Sequence, residues 1–243
     1  MPDVGRVRAV EALLQPPILF ASRGASAHVA GDSLEAFRLA LRLGATGLAT
    51  GVWRTADGAV VLSATGRQTT RLRKRPVSEL SRSAVPELVT VGELLDCLKG
   101  DFLLLVSVEP ASGDEGSVIE DLVELAANHD SGMLGRLWVS HDDVELLTTW
   151  RQRFGPIRLV NSARLRDLRH GPERRAAQLA DAGIDAISMH HSDWSGGLVS
   201  LFHRFERLAF GWDAQHERII SALLAMGLDA VAGDHVDRLV DSS

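Results

Sequence analysis

Three sets of side chains in this sequence could do chemistry. His190, His191 and Asp193 lie together, Asp234 and His235 lie together, and His141 and Asp142 form the third set. Imidazole beside carboxylate can hold a dication or pass a proton. A second chemistry is spelled by Gly31-Asp32-Ser33-Leu34 and Asp213-Ala214-Gln215-His216. There Ser33 would be the nucleophile of a serine esterase, His216 its base and Asp213 the group behind the base. The competing reading is a helix cap, because the motif follows a loop and opens a helix. Third, Arg67 and the run Arg71-Leu72-Arg73-Lys74-Arg75 could attract phosphate groups or an anionic surface. A solvated insertion explains the same charge. Trp194 and Trp212 could floor a pocket or pack a core, and Asn161 could donate to a ligand oxygen or cap a strand end.

The elements that must position these residues begin at Ile18-Leu19-Phe20-Ala21. Four apolar residues predict a short buried strand, and Gly24 lets the chain turn behind it. Asp32 reads as the N-cap of the next helix, with Glu35 at capping-box spacing. Leu34, Phe37 and Leu41 give that helix one apolar face. In α/β folds ligands bind at the carboxyl end of such a strand. Further strands are predicted at 46–53, 59–62, 102–108, 136–140, 157–160, 186–190, 208–212 and 230–232. Helices are predicted at 90–98, 116–128, 142–153, 172–182, 197–204 and 214–226. Gly183 and Gly227 are expected to end two of them in the left-handed conformation. A short helix is expected around Val7–Leu14. Residues 64–88 have no clear period and read as an insertion.

Strand–helix alternation predicts a parallel sheet. Nine candidate strands for eight staves assign one to a hairpin through Thr55-Ala56-Asp57-Gly58 or to the insertion. No Gly-x-Gly-x-x-Gly or Gly-x-x-x-x-Gly-Lys sequence supports an open doubly wound sheet. The expectation is one α/β domain over residues 1–243, a TIM (β/α)8 barrel, whose site lies at the C-terminal ends of the strands.

Composition narrows the function classes. A net charge of −6 over 243 residues leaves no nucleic-acid footprint. Cys97 is the one cysteine, so neither an intrachain disulfide nor a cysteine-rich zinc site can form; it reads as a small buried hydrophobe. No run approaches a membrane span, and Met1–Arg6 lacks the order of a signal peptide. A cytoplasmic protein is expected.

The pattern resembles the glycerophosphodiester phosphodiesterase family over nearly the whole chain. The landmarks are Ser22-Arg23-Gly24-Ala25-Ser26, Leu34-Glu35-Ala36-Phe37, Gly44-Ala45-Thr46-Gly47, Asp57–Leu62 and Val85-Pro86-Glu87-Leu88. The C-terminal half is most similar to an actinobacterial branch, at Leu159–Ser162, His190–Trp194, Phe210–His216 and Asp234–Arg238. The resemblance implies a TIM barrel of the phosphodiesterase type. It also implies two histidines acting as acid and base on a phosphodiester, and carboxylates holding Ca²⁺ or Mg²⁺.

This chain departs from that pattern where the chemistry would be. Ser22 stands where the family has its first histidine. Gly31-Asp32-Ser33 replaces Glu-Asn-Thr, Ala49-Thr50-Gly51 replaces Glu-x-Asp, and Ala64-Thr65 replaces His-Asp. Ser107 takes the place of an acidic residue and Glu109 that of the following lysine; Arg23 is kept. A positioned acid or base contributes typically 10²–10⁴-fold, so little of the family reaction would survive. The expectation is a non-catalytic barrel with no cofactor. Its mouth would bind a small phosphodiester or phosphate-containing ligand, or a protein partner. The expected pocket residues are Arg23, Asn161, His191, Trp212 and Asp234. The alternative is an active phosphodiesterase, with Ca²⁺ or Mg²⁺, that uses the late-strand histidines and carboxylates.

Overall fold

A computed structural model describes residues 10–70, 73–108, 115–130 and 132–243. In chain order the strands are β1 (Ile18–Ser22), β2 (Gly47–Arg54), β3 (Val60–Leu62), β4 (Arg67–Thr70), β5 (Arg73–Pro76) and β6 (Leu103–Val108). They continue as β7 (Leu137–His141), β8 (Arg158–Ala163), β9 (Ala186–His190), β10 (Leu208–Trp212) and β11 (Ala230–Gly233). The helices are α1 (Leu34–Arg42), α2 (Val91–Cys97), α3 (Glu115–His129), α4 (Met133–Arg136) and α5 (Val144–Arg153), then α6 (Pro172–Asp181), α7 (Gly196–Arg204), α8 (Glu217–Ala225) and α9 (Val236–Asp241).

Strands β1, β2 and β6 to β11 pair in parallel, and β1 pairs with both β2 and β11, which closes an eight-stranded barrel. Strand β3 returns antiparallel along β2 after the Asp57-Gly58 turn, where Gly58 has φ +91°. The expected barrel and hairpin are therefore present. Among the described residues no helix is long and apolar enough to cross a membrane.

Alternation along each strand sorts side chains into two layers. One set packs outward against the helices. The other fills the barrel, with Ile18 and Phe20 of β1, Leu105 of β6, Trp138 of β7, Val160 of β8 and Phe210 of β10. The Phe210 ring lies 5.9 Å from Phe20 and 5.2 Å from Trp138, centroid to centroid. A glycine in register on the neighbouring strand makes room for Phe20. A Cβ on Gly47 would stand 2.5 Å from the Phe20 ring.

The base of the barrel is stapled by side chains that precede three strands. Thr46 Oγ1 accepts the Leu19 N–H, Asp185 Oδ2 accepts the Leu159 N–H, and Asp229 Oδ2 accepts the Ala209 N–H. Each acceptor ties the strand it introduces to the strand paired beside it, satisfying donors that would otherwise be buried and unpaired. Gly183 and Gly227, at φ +66° and +88°, end the helices before two of these staples, as expected.

Several local expectations are corrected. The N-cap of α1 is Ser33, whose Oγ accepts from the Ala36 N–H, and Asp32 turns away at φ +58°. The capping box appears instead at Thr90 and Glu93 of α2. No helix forms in the described part of 7–14, and Val7–Ala9 lie outside the described residues. The 64–88 insertion is structured: β4 and β5 form a hairpin, and Val77, Leu80, Val85 and Leu88 bury against Trp53 and Val61. Of the basic run, Arg73, Lys74 and Arg75 are exposed on β5, and Arg71 and Leu72 lie outside the described residues. Cys97 is half-buried at the edge of the outer core.

Asp229 is fully buried and accepts from Leu14 N–H, Ala209 N–H and His203 Nε2, at 2.9, 2.7 and 2.8 Å. Asp229→Ala strands all three donors. It is expected to cost about 3–5 kcal/mol and to lower the melting temperature by roughly 10 °C. Differential scanning calorimetry checks this, and a fall of under about 2 °C would contradict the stapling role.

Candidate functional site

The C-terminal ends of the barrel strands surround a cavity of about 260 Å³. Its floor is Phe20, Leu105, Phe210, Ala230 and Ala232, the upper surface of the barrel filling. Above the floor stands a collar of hydroxyls: Ser22 of β1, Ser107 of β6, Ser140 of β7, Ser162 of β8 and Ser188 of β9. Strand register explains the collar. Ser107 lies beside Ser140, Ser162 beside Ser188, and each shares the inward phase of the filling residue two positions earlier. Trp212 closes the β10 side and Arg23 the β1 side.

Arg23 and Asp32 define the electrostatics of this mouth. Both hold left-handed backbone, at φ +56° and +58°. Asp32 is nearly buried and accepts from Arg23 Nε at 3.1 Å, Thr50 Oγ1 at 2.6 Å and the Ala64 N–H at 3.1 Å. The guanidinium fills the space beside Gly31, where a Cβ would stand 2.9 Å from its Cζ. Its Nη groups make no hydrogen bond among the described residues, and the Arg23 side chain is half-exposed at the cavity. The capping-box spacing of Asp32 predicts a cap and hides this role; its left-handed backbone, favoured by Asp, turns the carboxylate inward.

Ser22, Ala49, Gly51, Ala64 and Ser107, all positions the resemblance assigns to the family's chemistry, line this cavity. Gly31 lies behind Arg23, Thr65 is in the exposed turn before β4, and Glu109 is outside the described residues. A hard dication wants several oxygen ligands, chiefly carboxylates. Among the described residues the carboxylate beside Arg23, Asp32, is already satisfied by a guanidinium and two neutral donors. The described residues at that position do not fit Ca²⁺ or Mg²⁺.

The expected pocket residues separate. Arg23 and Trp212 line the cavity. Asn161 does not: it has the outward phase of β8, is fully buried, donates to the carbonyls of His141 and Asp142, and accepts from Arg175. Asp234 accepts from Gln215 Nε2 at 3.0 Å. His191 stands beside His190, with ring centroids 4.2 Å apart.

At the rim above Trp212, His190 Nε2 is 3.2 Å from Asp213 Oδ2, and its Nδ1 is 2.7 Å from Ser192 Oγ. His190, His191 and Asp213 each present a ligand atom within 4.8 Å of the others. Burial, and the neighbouring His190, push the His191 pKa down. The Gln215 amide, then His190, hold the Asp213 carboxyl below its ordinary value. The other late carboxylates are elsewhere: Asp193 accepts from Arg164 Nε at 2.6 Å, and Arg164 lies 5.7 Å over the Trp212 ring.

The esterase arrangement is not formed. Ser33 Oγ donates to the Ala30 carbonyl and accepts from Ala36 N–H, as a helix cap does. Asp213 bonds His190 and Gln215 rather than His216, which is exposed at the start of α8.

The hydrogen bond from Arg164 holds the Asp193 carboxyl below its ordinary pKa. A lowered carboxyl pKa adds stability that is present above the unfolded value and is lost as pH falls through the folded value. Asp193→Asn should therefore be less stable than wild type at pH 7, with the difference shrinking below about pH 4. Urea melts across pH 2–7 check this; a gap that is constant with pH would contradict it.

No family profile matches the sequence, and no curated protein matches it. Solved structures do. A glycerophosphodiester phosphodiesterase from Thermotoga maritima is 18% identical with TM-score 0.77, covering 93% of this chain and 98% of its own. A candidate glycerophosphoryl diester phosphodiesterase from Silicibacter pomeroyi is 18% identical with TM-score 0.82, covering 93% of each chain. A phosphodiesterase from Oleispira antarctica, solved with its product sn-glycerol-3-phosphate, is 17% identical with TM-score 0.81, covering 93% of this chain and 96% of its own. The chain thus has the barrel fold found in these glycerophosphodiester phosphodiesterase structures.

Proposed function

We propose that this protein is a glycerophosphodiester phosphodiesterase-like barrel that binds a small phosphate-bearing ligand and does not carry out the family's hard-metal hydrolysis. The observation that supports this most is the Arg23–Asp32 pair. It sets a guanidinium at the mouth, beside Gly31, and spends the nearby carboxylate on protein donors. Ser22, Ala64 and Thr65 offer no imidazole for proton transfer, and Ala49, Gly51 and Ser107 offer no carboxylate.

What remains suits an anion. The Arg23 Nη groups can donate to phosphate oxygens, and the serine hydroxyls can donate or accept around a short polyol. The apolar floor excludes water beneath the ligand. A cavity of about 260 Å³ matches a molecule of the size of a glycerol phosphate. That compound occupies the similar Oleispira structure.

The test is calorimetric titration of the protein with sn-glycerol-3-phosphate. Heat at a 1:1 ratio is expected. Loss of a charge-assisted hydrogen bond of about 1.5–3 kcal/mol should weaken Arg23→Ala by 10-fold or more. Ser162→Leu, which fills the collar, should abolish the heat. Glycerophosphocholine hydrolysis with Ca²⁺ or Mg²⁺ should stay at the no-protein background. Turnover that requires either ion, or binding indifferent to both substitutions, would overturn the proposal.

A further inference from the structure

We propose that His190, His191 and Asp213 form a binding site for a borderline-soft divalent ion of the zinc type, at the rim of the barrel mouth. This rests on the donor set and its geometry, and stands whether or not the cavity binds phosphate.

Two imidazoles and one carboxylate are a ligand set that zinc accepts readily, whereas Ca²⁺ and Mg²⁺ prefer oxygen. The three ligand atoms lie within 4.8 Å of one another. The 3.2 Å between His190 Nε2 and Asp213 Oδ2 is close to the spacing of about 3.3 Å between ligands of a tetrahedral ion with bonds of 2.0–2.1 Å. An ion can therefore enter along that edge with small side-chain rotations, replacing the hydrogen bond already there.

Each outer atom is also held. Ser192 Oγ lies 2.7 Å from His190 Nδ1, and Gln215 Nε2 donates to Asp213 Oδ1 at 3.0 Å. Such partners orient metal ligands and fix the tautomer. In the structure His190 Nδ1 accepts the Ser192 N–H at 3.2 Å, so the ring proton sits on Nε2 toward Asp213. An ion that takes Nε2 displaces this proton, and the neutral ring then carries its proton on Nδ1, toward Ser192 Oγ. The positions are set by two adjacent parallel strands, with His190 of β9 in register with Trp212 of β10. Asp193 does not compete as a ligand, because Arg164 holds it. Three protein ligands leave a fourth position open, on the solvent side where Asp213 is half-exposed.

The probe is Co²⁺ added to untagged, chelator-stripped protein, followed by displacement with Zn²⁺. One equivalent should give the visible absorption of four-coordinate cobalt, bleached by one equivalent of Zn²⁺. His191→Ala and Asp213→Asn should each weaken Zn²⁺ by 10-fold or more. His235→Ala, on the other side of the mouth, should leave it unchanged. A scan of each variant's melting temperature separates lost ligation from lost folding. No cobalt band in wild type, affinity indifferent to the first two changes, or affinity lost with His235→Ala would overturn the proposal.

Discussion

The mouth of this barrel depends on one ion pair. Asp32 joins the loop before α1 to Arg23 after β1, to Thr50 in β2 and to the backbone at Ala64 after β3. A carboxylate brought this far from water must be paired and hydrogen-bonded or it destabilises the fold. Here three donors meet it. The pair ties these four segments together with charges the chain itself supplies. Several carboxylates crowded at one site would repel one another without a cation. Ala49, Gly51 and Ser107 line this mouth without charge, so no such repulsion arises among them.

The two ends of the barrel solve opposite problems. At the base, Thr46, Asp185 and Asp229 accept strand N–H groups, and Asp185 also pairs with Arg151 and Arg158. Those polar groups are consumed by structure. At the top, the collar serines and the Arg23 Nη groups keep capacity to bond something else, and His190 with Asp213 forms a link that an ion can replace. The difference lies in burial. The base is closed by Leu14 and the chain that enters β1, whereas the top opens to solvent above Phe20 and Phe210.

The barrel was legible because its causes are local and repeated. Apolar runs such as Leu103–Val108, helix-ending glycines such as Gly183 and Gly227, and the Asp57-Gly58 turn each act within a few residues. The site was less legible because it depends on phase and on backbone hand. Asn161 was expected in the pocket, yet alternation through Val160 and Ser162 points it outward. The same period-two reading, applied to every strand, would have found the serine collar in advance. Asp32 had the type and spacing of a cap, and Ser33 one residue later took that role. The insertion at 64–88 hid its packing because Val77, Leu80, Val85 and Leu88 follow neither a helical nor a strand period. The grouping of His190, His191 and Asp213 required β9 and β10 to be neighbours, which residues 23 positions apart do not announce.

The most direct test of a mouth ordered by Arg23 and Asp32 is a thermal melt of chelator-stripped protein titrated with Ca²⁺ and, separately, Mg²⁺. An ion that binds the folded state at 100 times its dissociation constant would add about 2.7 kcal/mol. For a chain of this length that is a rise of roughly 5–10 °C. The account predicts no rise with either ion at millimolar concentration. A rise of that size would contradict it.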